Sequence, residues 1–152
     1  MKGFWLLVHV LGFTLWLGGG IATMVAGIRA KLFTPGDRLK AYQLIGAIQR
    51  LLVGPGAAAV VLSGVILSIP YMQGGAPAGW LTLMMGAGLL GALVALGISV
   101  PTASRLARLD LNPRGELPEA FPRLRQRQII GASLAGALGL LALAAATLVR
   151  GY

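Results

Sequence analysis

Residues 3–28, which read GFWLLVHVLGFTLWLGGGIATMVAGI, decide the fold of this chain because they contain no Asp, Glu, Lys or Arg. A helix of about 20 apolar residues is long enough to cross the roughly 30 Å hydrocarbon core of a bilayer. Three further uncharged apolar stretches follow, at about residues 51–71, 80–100 and 128–149. The sequence therefore predicts an all-α integral membrane protein, an antiparallel bundle of four transmembrane helices that forms one domain over residues 1–152.

The composition excludes a water-soluble domain and several kinds of metal site. Of the 152 residues, 57% are hydrophobic and 11% are charged, whereas about 25% of residues are charged in a typical soluble domain. The chain contains no cysteine, which excludes disulfide bonds, thiolate metal sites and iron–sulfur clusters. Histidine, methionine, carboxylate and backbone groups remain as metal ligands.

Positive charge is distributed unevenly over the predicted connections. Of the thirteen Lys and Arg, eleven lie in the first and third connections: Arg29, Lys31, Arg38, Lys40, Arg50, Arg105, Arg108, Arg114, Arg123, Arg125 and Arg127. Lys2 and Arg150 lie on the opposite side. Because basic loops stay in the cytoplasm, we expect an N-out, C-out, multi-pass protein of the cell membrane with both basic loops cytoplasmic.

The excess of basic residues, a net charge of +9, also raises the question of a charged partner. We expect the basic loops to contact anionic lipids at the cytoplasmic face of the bilayer. We expect no nucleic-acid partner, because single-stranded nucleic acids stack on aromatic side chains and the longer loop offers Phe121 alone.

Local patterns refine the predicted helices. The turn Thr34-Pro-Gly-Asp37 places Asp37 to cap a helix that begins at Arg38. Its polar face would carry Lys40, Gln43, Gln49 and Arg50. Small residues also recur at four-residue spacing, which predicts close helix contacts; they are Gly54 and Ala58, then Ala87, Gly91 and Ala95, then Gly131, Ala135 and Gly139.

His9 is the only histidine of the chain, and it lies within the first apolar stretch. An imidazole in hydrocarbon is costly unless a metal, a cofactor or a hydrogen-bond partner satisfies it. Residues on the same helical face include glycines and a tryptophan: Gly12, Phe13, Trp16, Gly19, Gly20 and Thr23. This face suits either a bulky flat cofactor or a neighbouring helix.

Two methionines are predicted at the same depth as the histidine. With a rise of about 1.5 Å per residue, His9 lies roughly 9 Å and Met84 and Met85 roughly 6–8 Å from the outer ends of their helices. Imidazole and thioether form an axial pair for haem iron and also suit Cu(I). For a haem, Lys2 and Arg150 would neutralise the propionates. Alternatively, His9 from each chain of a homodimer would hold one haem or metal.

The sequence disfavours hydrolytic catalysis and proton-coupled transport. All four acidic residues are predicted in the basic loops: Asp37, Asp110, Glu116 and Glu119. The serines of the apolar stretches, Ser63, Ser68, Ser99 and Ser133, are expected to have no base nearby. A serine nucleophile needs such a base, and a proton-coupled transporter needs an intramembrane carboxylate.

Seven residues resemble a loose superfamily of four-span bacterial membrane proteins: His9, Trp16, Gly18, Arg50, Pro55, Gly64 and Trp80. That superfamily includes copper-resistance D-type domains and membrane protoporphyrinogen oxidase. The resemblance implies a bacterial inner-membrane location and, from the oxidase group, haem b ligation by His9. The oxidase and copper-resistance groups have a lysine in the third span, whereas Trp80 to Val100 carry no charge here. The chain is therefore most similar to the members of unknown function.

Three hypotheses about function follow. The first is a haem b protein for electron transfer or haem handling, with His9 as ligand; any enzyme activity would then be that of a membrane haem-dependent oxidoreductase. The second is a copper-handling protein that uses His9, Met84 and Met85. The third is a non-catalytic subunit of a larger membrane complex.

Overall fold

The computed structural model describes residues 2–72 and 79–149, and within these residues every regular element is helical. Helix α1 spans Lys2–Arg29 and ends in the 3-10 turn Ala30–Leu32. Helix α2, Pro35–Ile48, runs through a π-helical turn, Gln49–Val53, into α3, Gly54–Met72. Helix α4, Gly79–Val94, runs through a second π-helical turn, Ala95–Ser99, into α5, Val100–Leu106. Helix α6, Ala120–Ala144, ends in a third, Ala145–Val149.

These elements form four continuous helices that are long and apolar enough to cross a membrane: Lys2–Leu32, Pro35–Met72, Gly79–Leu106 and Ala120–Leu148. The prediction of four long apolar helices is thus confirmed. Many large apolar side chains face outward, among them Leu51, Leu62 and Leu148, which are 65–71% exposed. Such a surface is compatible with a multi-pass membrane protein, since lipid covers apolar side chains without cost.

All four continuous helices extend further at the basic end than the apolar stretches indicate. The second begins at Pro35, not at residue 51, and its N-cap is Thr34. The Thr34 hydroxyl accepts a hydrogen bond from the backbone N–H of Asp37 and donates one to its carboxylate. The predicted cap at Asp37 was therefore wrong: Asp37 lies in the first turn, where proline at N1 is favoured and a carboxylate complements the helix dipole.

The helices pack in two close pairs, α1 on α3 and α4 on α6, and the pairs contact each other mainly through α1 with α6 and α3 with α4. Trp16 fills the centre and is 2% exposed. Close helix contacts are confirmed at two of the predicted small residues, Gly91 and Gly131. A Cβ atom added to Gly91 would lie 2.9 Å from Trp16 Cη2, and one added to Gly131 would lie 3.0 Å from Ile98.

Both basic connections lie at the same end of the bundle. Apart from the apolar core around Trp16, a separate apolar cluster at this end joins the end of α1 and the helices α2, α5 and α6. In it the rings of Tyr42 and Phe121 meet edge to face, with centroids 5.1 Å apart. The Nε atom of Arg125 donates to the Tyr42 hydroxyl at 3.0 Å. The first and third connections are thus held together by packed side chains.

Candidate functional site around His9

The imidazole of His9 lies in the groove between α1 and α3 and is half-buried. Its Nδ1 atom is 3.0 Å from the hydroxyl oxygen of Ser63. Gly64 gives the ring its space, because a Cβ atom on Gly64 would lie 3.2 Å from Cε1 of His9. Two residues of the family resemblance, His9 and Gly64, are therefore in contact.

The hydrogen bonds of Ser63 decide which ring nitrogen of His9 carries the proton. Ser63 is fully buried, and its hydroxyl donates to the backbone carbonyl of Ala59 at 2.5 Å. A hydroxyl has one proton to donate, so Ser63 accepts from His9. We therefore assign the imidazole proton to Nδ1, which leaves Nε2 with an unprotonated lone pair. A ligating histidine is usually held in this way, with its other N–H donated to a fixed acceptor.

The prediction that Ser63 has no base nearby was wrong. Fifty-four positions separate the two residues, so only helix packing shows that they meet. The pair is nevertheless unsuited to nucleophilic catalysis. The Ser63 proton is engaged by the Ala59 carbonyl, and the buried hydroxyl has no access to a substrate. Ser63 instead orients the imidazole.

Helix α3 and the π-helical turn Gln49–Val53 that precedes it occupy part of the glycine-lined face of α1. A Cβ atom on Gly12 would lie 2.9 Å from both Ala59 and the Gly56 carbonyl, and one on Gly19 would lie 2.8 Å from Val53. Gly20 differs, because no atom beyond its own helix backbone and chain neighbours lies within 4 Å of an added Cβ. Of the two interpretations of this face, helix packing accounts for Gly12 and Gly19, and Gly20 is the open position.

The remaining predicted ligands lie on other parts of the molecule. Met84 and Met85 are half-buried on α4, which packs mainly against α6 and α3. Helix α4 is therefore diagonal to α1 and meets it through the Trp16 side chain at Gly91. Lys2 is exposed at the start of α1. Arg150 lies outside the described residues. The contacts around His9 thus come from α3, and a joint site with the methionines stays a prediction.

A buried polar network, which the sequence pattern did not predict, crosses all four continuous helices near their basic ends. The amide of Gln128 donates to Ser99 at 3.0 Å, and Ser99 donates to Gln49 at 3.3 Å. Gln49 donates in turn to Thr23 at 3.2 Å. Gln49 is 1% exposed, so its predicted place on a polar helix face was wrong. The Oε1 atom of Gln128 is buried without a hydrogen-bond partner.

Two of these residues occupy π-helical turns: Gln49 begins one and Ser99 ends another. Such turns are rare and are frequent at functional sites. The signal available in the sequence was weak, since Gln49 and Gln128 stand next to or near arginines at the ends of apolar stretches. A glutamine in that position is usually solvated, and only the tertiary contacts distinguish a buried one.

No match to the chain is found among protein-family models, curated proteins or solved structures. The resemblance to the four-span superfamily therefore stays a prediction that rests on its seven residues. The geometry around His9 is therefore the feature of the chain that bears on its function.

Proposed function

We propose that this chain is an integral membrane protein that binds haem b through Nε2 of His9 and serves in electron transfer or haem handling. The observation that carries the proposal is the hydrogen bond from His9 Nδ1 to Ser63, whose own proton goes to Ala59. That arrangement presents an unprotonated Nε2 at a half-buried position, which is what an axial ligand requires.

The packing of the bundle limits where a haem would lie. Gly12 contacts α3, and Gly19 contacts Val53 of the π-helical turn before it. Two surface clefts, one lined by Arg38 and Arg125 and the other by Ile98 and Arg127, do not border His9. His9 could therefore hold a haem at the groove between α1 and α3. The close packing at Gly12 and Gly19 leaves no space for a haem between the helices there. A donor from a second copy of the chain, His9 of that copy, suits this position better than Met84 or Met85 on the diagonal helix.

The chemistry divides between cofactor and protein. A bound haem supplies a one-electron redox couple. Ser63 orients the imidazole and strengthens its donor character by accepting the Nδ1 proton in a hydrogen bond. The apolar side chains around α1 exclude water from the ligand. In the membrane we propose the N-out, C-out orientation, with His9 in the outer leaflet of the bacterial inner membrane and Lys2 available to a propionate.

The absorption spectrum of the purified protein tests this proposal. The protein is purified in detergent and titrated with haemin, beside His9→Ala and the control Thr14→Ala. Thr14 lies on the same helix, and its hydroxyl bonds only to its own helix, at the Val10 carbonyl. We expect a Soret band in the wild type and in Thr14→Ala that is lost in His9→Ala, with circular dichroism unchanged.

A wild-type protein that gains no Soret band with added haemin would overturn the proposal. A band that survives in His9→Ala would also overturn the assignment of the ligand. The copper hypothesis is tested on the same preparations by competition for Cu(I), with Met84→Leu and Met85→Leu added. Co-purification with further subunits, together with an intact His9→Leu protein, would favour the third hypothesis.

A further inference from the structure

A cleft at the basic end of the bundle has the properties of an anion site. Its volume is about 380 Å³, within the range of roughly 300–1,000 Å³ that is usual for small-molecule sites. We call it the basic cleft and define it by its polar lining residues, Lys31, Arg38, Tyr42, Glu119 and Arg125. It lies where the end of α1, the start of α2 and the start of α6 meet.

The two arginines of the basic cleft differ from the others in the chain. Among the arginines in residues 2–72 and 79–149, only Arg38 and Arg125 are half-buried, and the rest are exposed. An exposed arginine is accounted for by solvent and by membrane topology. A partly buried guanidinium loses hydration, and this loss is unfavourable unless an anion offsets it.

Both guanidinium groups are held in place by neutral acceptors. Arg38 donates from Nε to the Ala30 carbonyl at 3.0 Å and from Nη2 to the Lys31 carbonyl at 2.6 Å. Arg125 donates from Nε to the hydroxyl of Tyr42, which is 3% exposed and packed against Phe121. These bonds fix the side chains without neutralising them, and each guanidinium, with five N–H donors in all, keeps others free.

The charges around the basic cleft do not balance. Lys31, Arg38 and Arg125 face one carboxylate, that of Glu119. Across the described part of the chain the single ion pair joins Lys40 to Asp37, and neither residue lines the cleft. The lining therefore carries an excess of about two positive charges, which matches a phosphate monoester of about −1.5 to −2. Guanidinium forks also fit phosphate oxygens in bidentate geometry.

We infer that the basic cleft binds the phosphate group of an anionic ligand, supplied by a phospholipid headgroup or by a soluble phosphate compound. The inference is independent of haem binding, because the cleft and His9 lie toward opposite ends of α1. It distinguishes Arg38 and Arg125 from the other loop arginines, which need only contact the bilayer surface.

Native mass spectrometry of the full-length protein in detergent tests the site, with phosphatidic acid and phosphatidylcholine as probes. We expect the wild type to retain phosphatidic acid at least about tenfold better than phosphatidylcholine, since charge-assisted hydrogen bonds of this kind account for about one decade in affinity or more. Arg125→Gln should lose that preference. Arg108→Gln removes the same charge from an exposed position outside the cleft, and it should keep the preference.

Inorganic phosphate distinguishes the two sources of the group. If phosphate displaces phosphatidic acid from the wild type, the cleft accepts a free phosphate; if it does not, the lipid is the ligand, and both results support the site. Lys31→Gln tests the cleft with a variant that should not disturb folding, because Lys31 is exposed and its replacement removes no packed side chain. No preference in the wild type, or equal loss of preference in Arg125→Gln, Lys31→Gln and Arg108→Gln, would overturn the inference.

Discussion

The indole of Trp16 on α1 lies directly against the backbone of Gly91 on α4, so that a Cβ atom at position 91 would be 2.9 Å from Cη2 of Trp16. This contact joins the two helix pairs at the centre of the bundle, where Trp16 also approaches Gly139 on α6. The close approach depends on glycine, since small residues let helix backbones come together in a membrane.

Replacing Gly91 by valine should therefore destabilise the bundle. The added atoms would overlap Trp16 and Leu138, and overpacking of this kind costs about 1–3 kcal/mol. Gly86→Val is the matched control. Gly86 lies on the same helix as Gly91, and a Cβ atom added to it would have no neighbouring atom within 4 Å. Thermal unfolding in detergent, followed by circular dichroism, should show a lower midpoint for Gly91→Val alone. Equal midpoints for the two variants would contradict the packing described.

The buried network predicts a second difference between matched substitutions. Ser99→Ala removes the acceptor for Gln128 and the donor to Gln49, and unsatisfied buried groups cost about 1–3 kcal/mol. Ser104→Ala removes only a bond to its own helix, at the Val100 carbonyl, and should change stability by less than about 0.5 kcal/mol. Thermal unfolding in detergent measures both. If Ser104→Ala is the more damaging variant, the network contributes little.

The role of Ser63 predicts a change in haem affinity without loss of the ligand. Ser63→Ala removes the acceptor for His9 Nδ1, and loss of such a partner lowers the affinity of a metal site by about 10- to 100-fold. Ser68→Ala is the control, because Ser68 is also buried on α3 and its hydroxyl donates to the Val65 carbonyl. Haemin titration should show weaker binding for Ser63→Ala only. The same affinity in both variants would remove Ser63 from the site.

Membrane orientation is accessible through single cysteines, because the chain has none of its own. We expect Lys2→Cys to react with a membrane-impermeant maleimide added outside intact spheroplasts. Arg114→Cys, in the third connection, should react only after the membrane is opened. The expected difference follows from the positive-inside rule. The reverse labelling pattern would show that the basic loops face outward.

Much of the fold could be predicted from residues 3–28 and their three counterparts. Their length and lack of charge are local properties, and hydrocarbon requires every backbone group in such a stretch to be paired within a helix. The helix ends were less accessible. Pro35 starts a helix because Thr34 supplies the capping hydroxyl, and the turn motif alone was equally compatible with a later cap at Asp37.

The site was predicted only in part. His9 stood out because a single imidazole in an apolar helix needs a partner, but the sequence could not show that the partner is Ser63. Gln49 was assigned to a polar helix face with Lys40, Gln43 and Arg50 because apolar residues alternate with them at helical spacing, whereas the structure buries it. In both cases the missing information was the rotation of one helix against another.

The sequence by itself thus determined that the chain forms four long apolar helices and that its lone histidine lies within the first. Composition and charge decide these features residue by residue, without reference to distant parts of the chain. The tertiary structure decided which side chains meet: His9 with Ser63, Trp16 with Gly91, and Arg125 with Tyr42. The reason is that side-chain packing between helices sets their register, and residues more than 50 positions apart come into contact only through it.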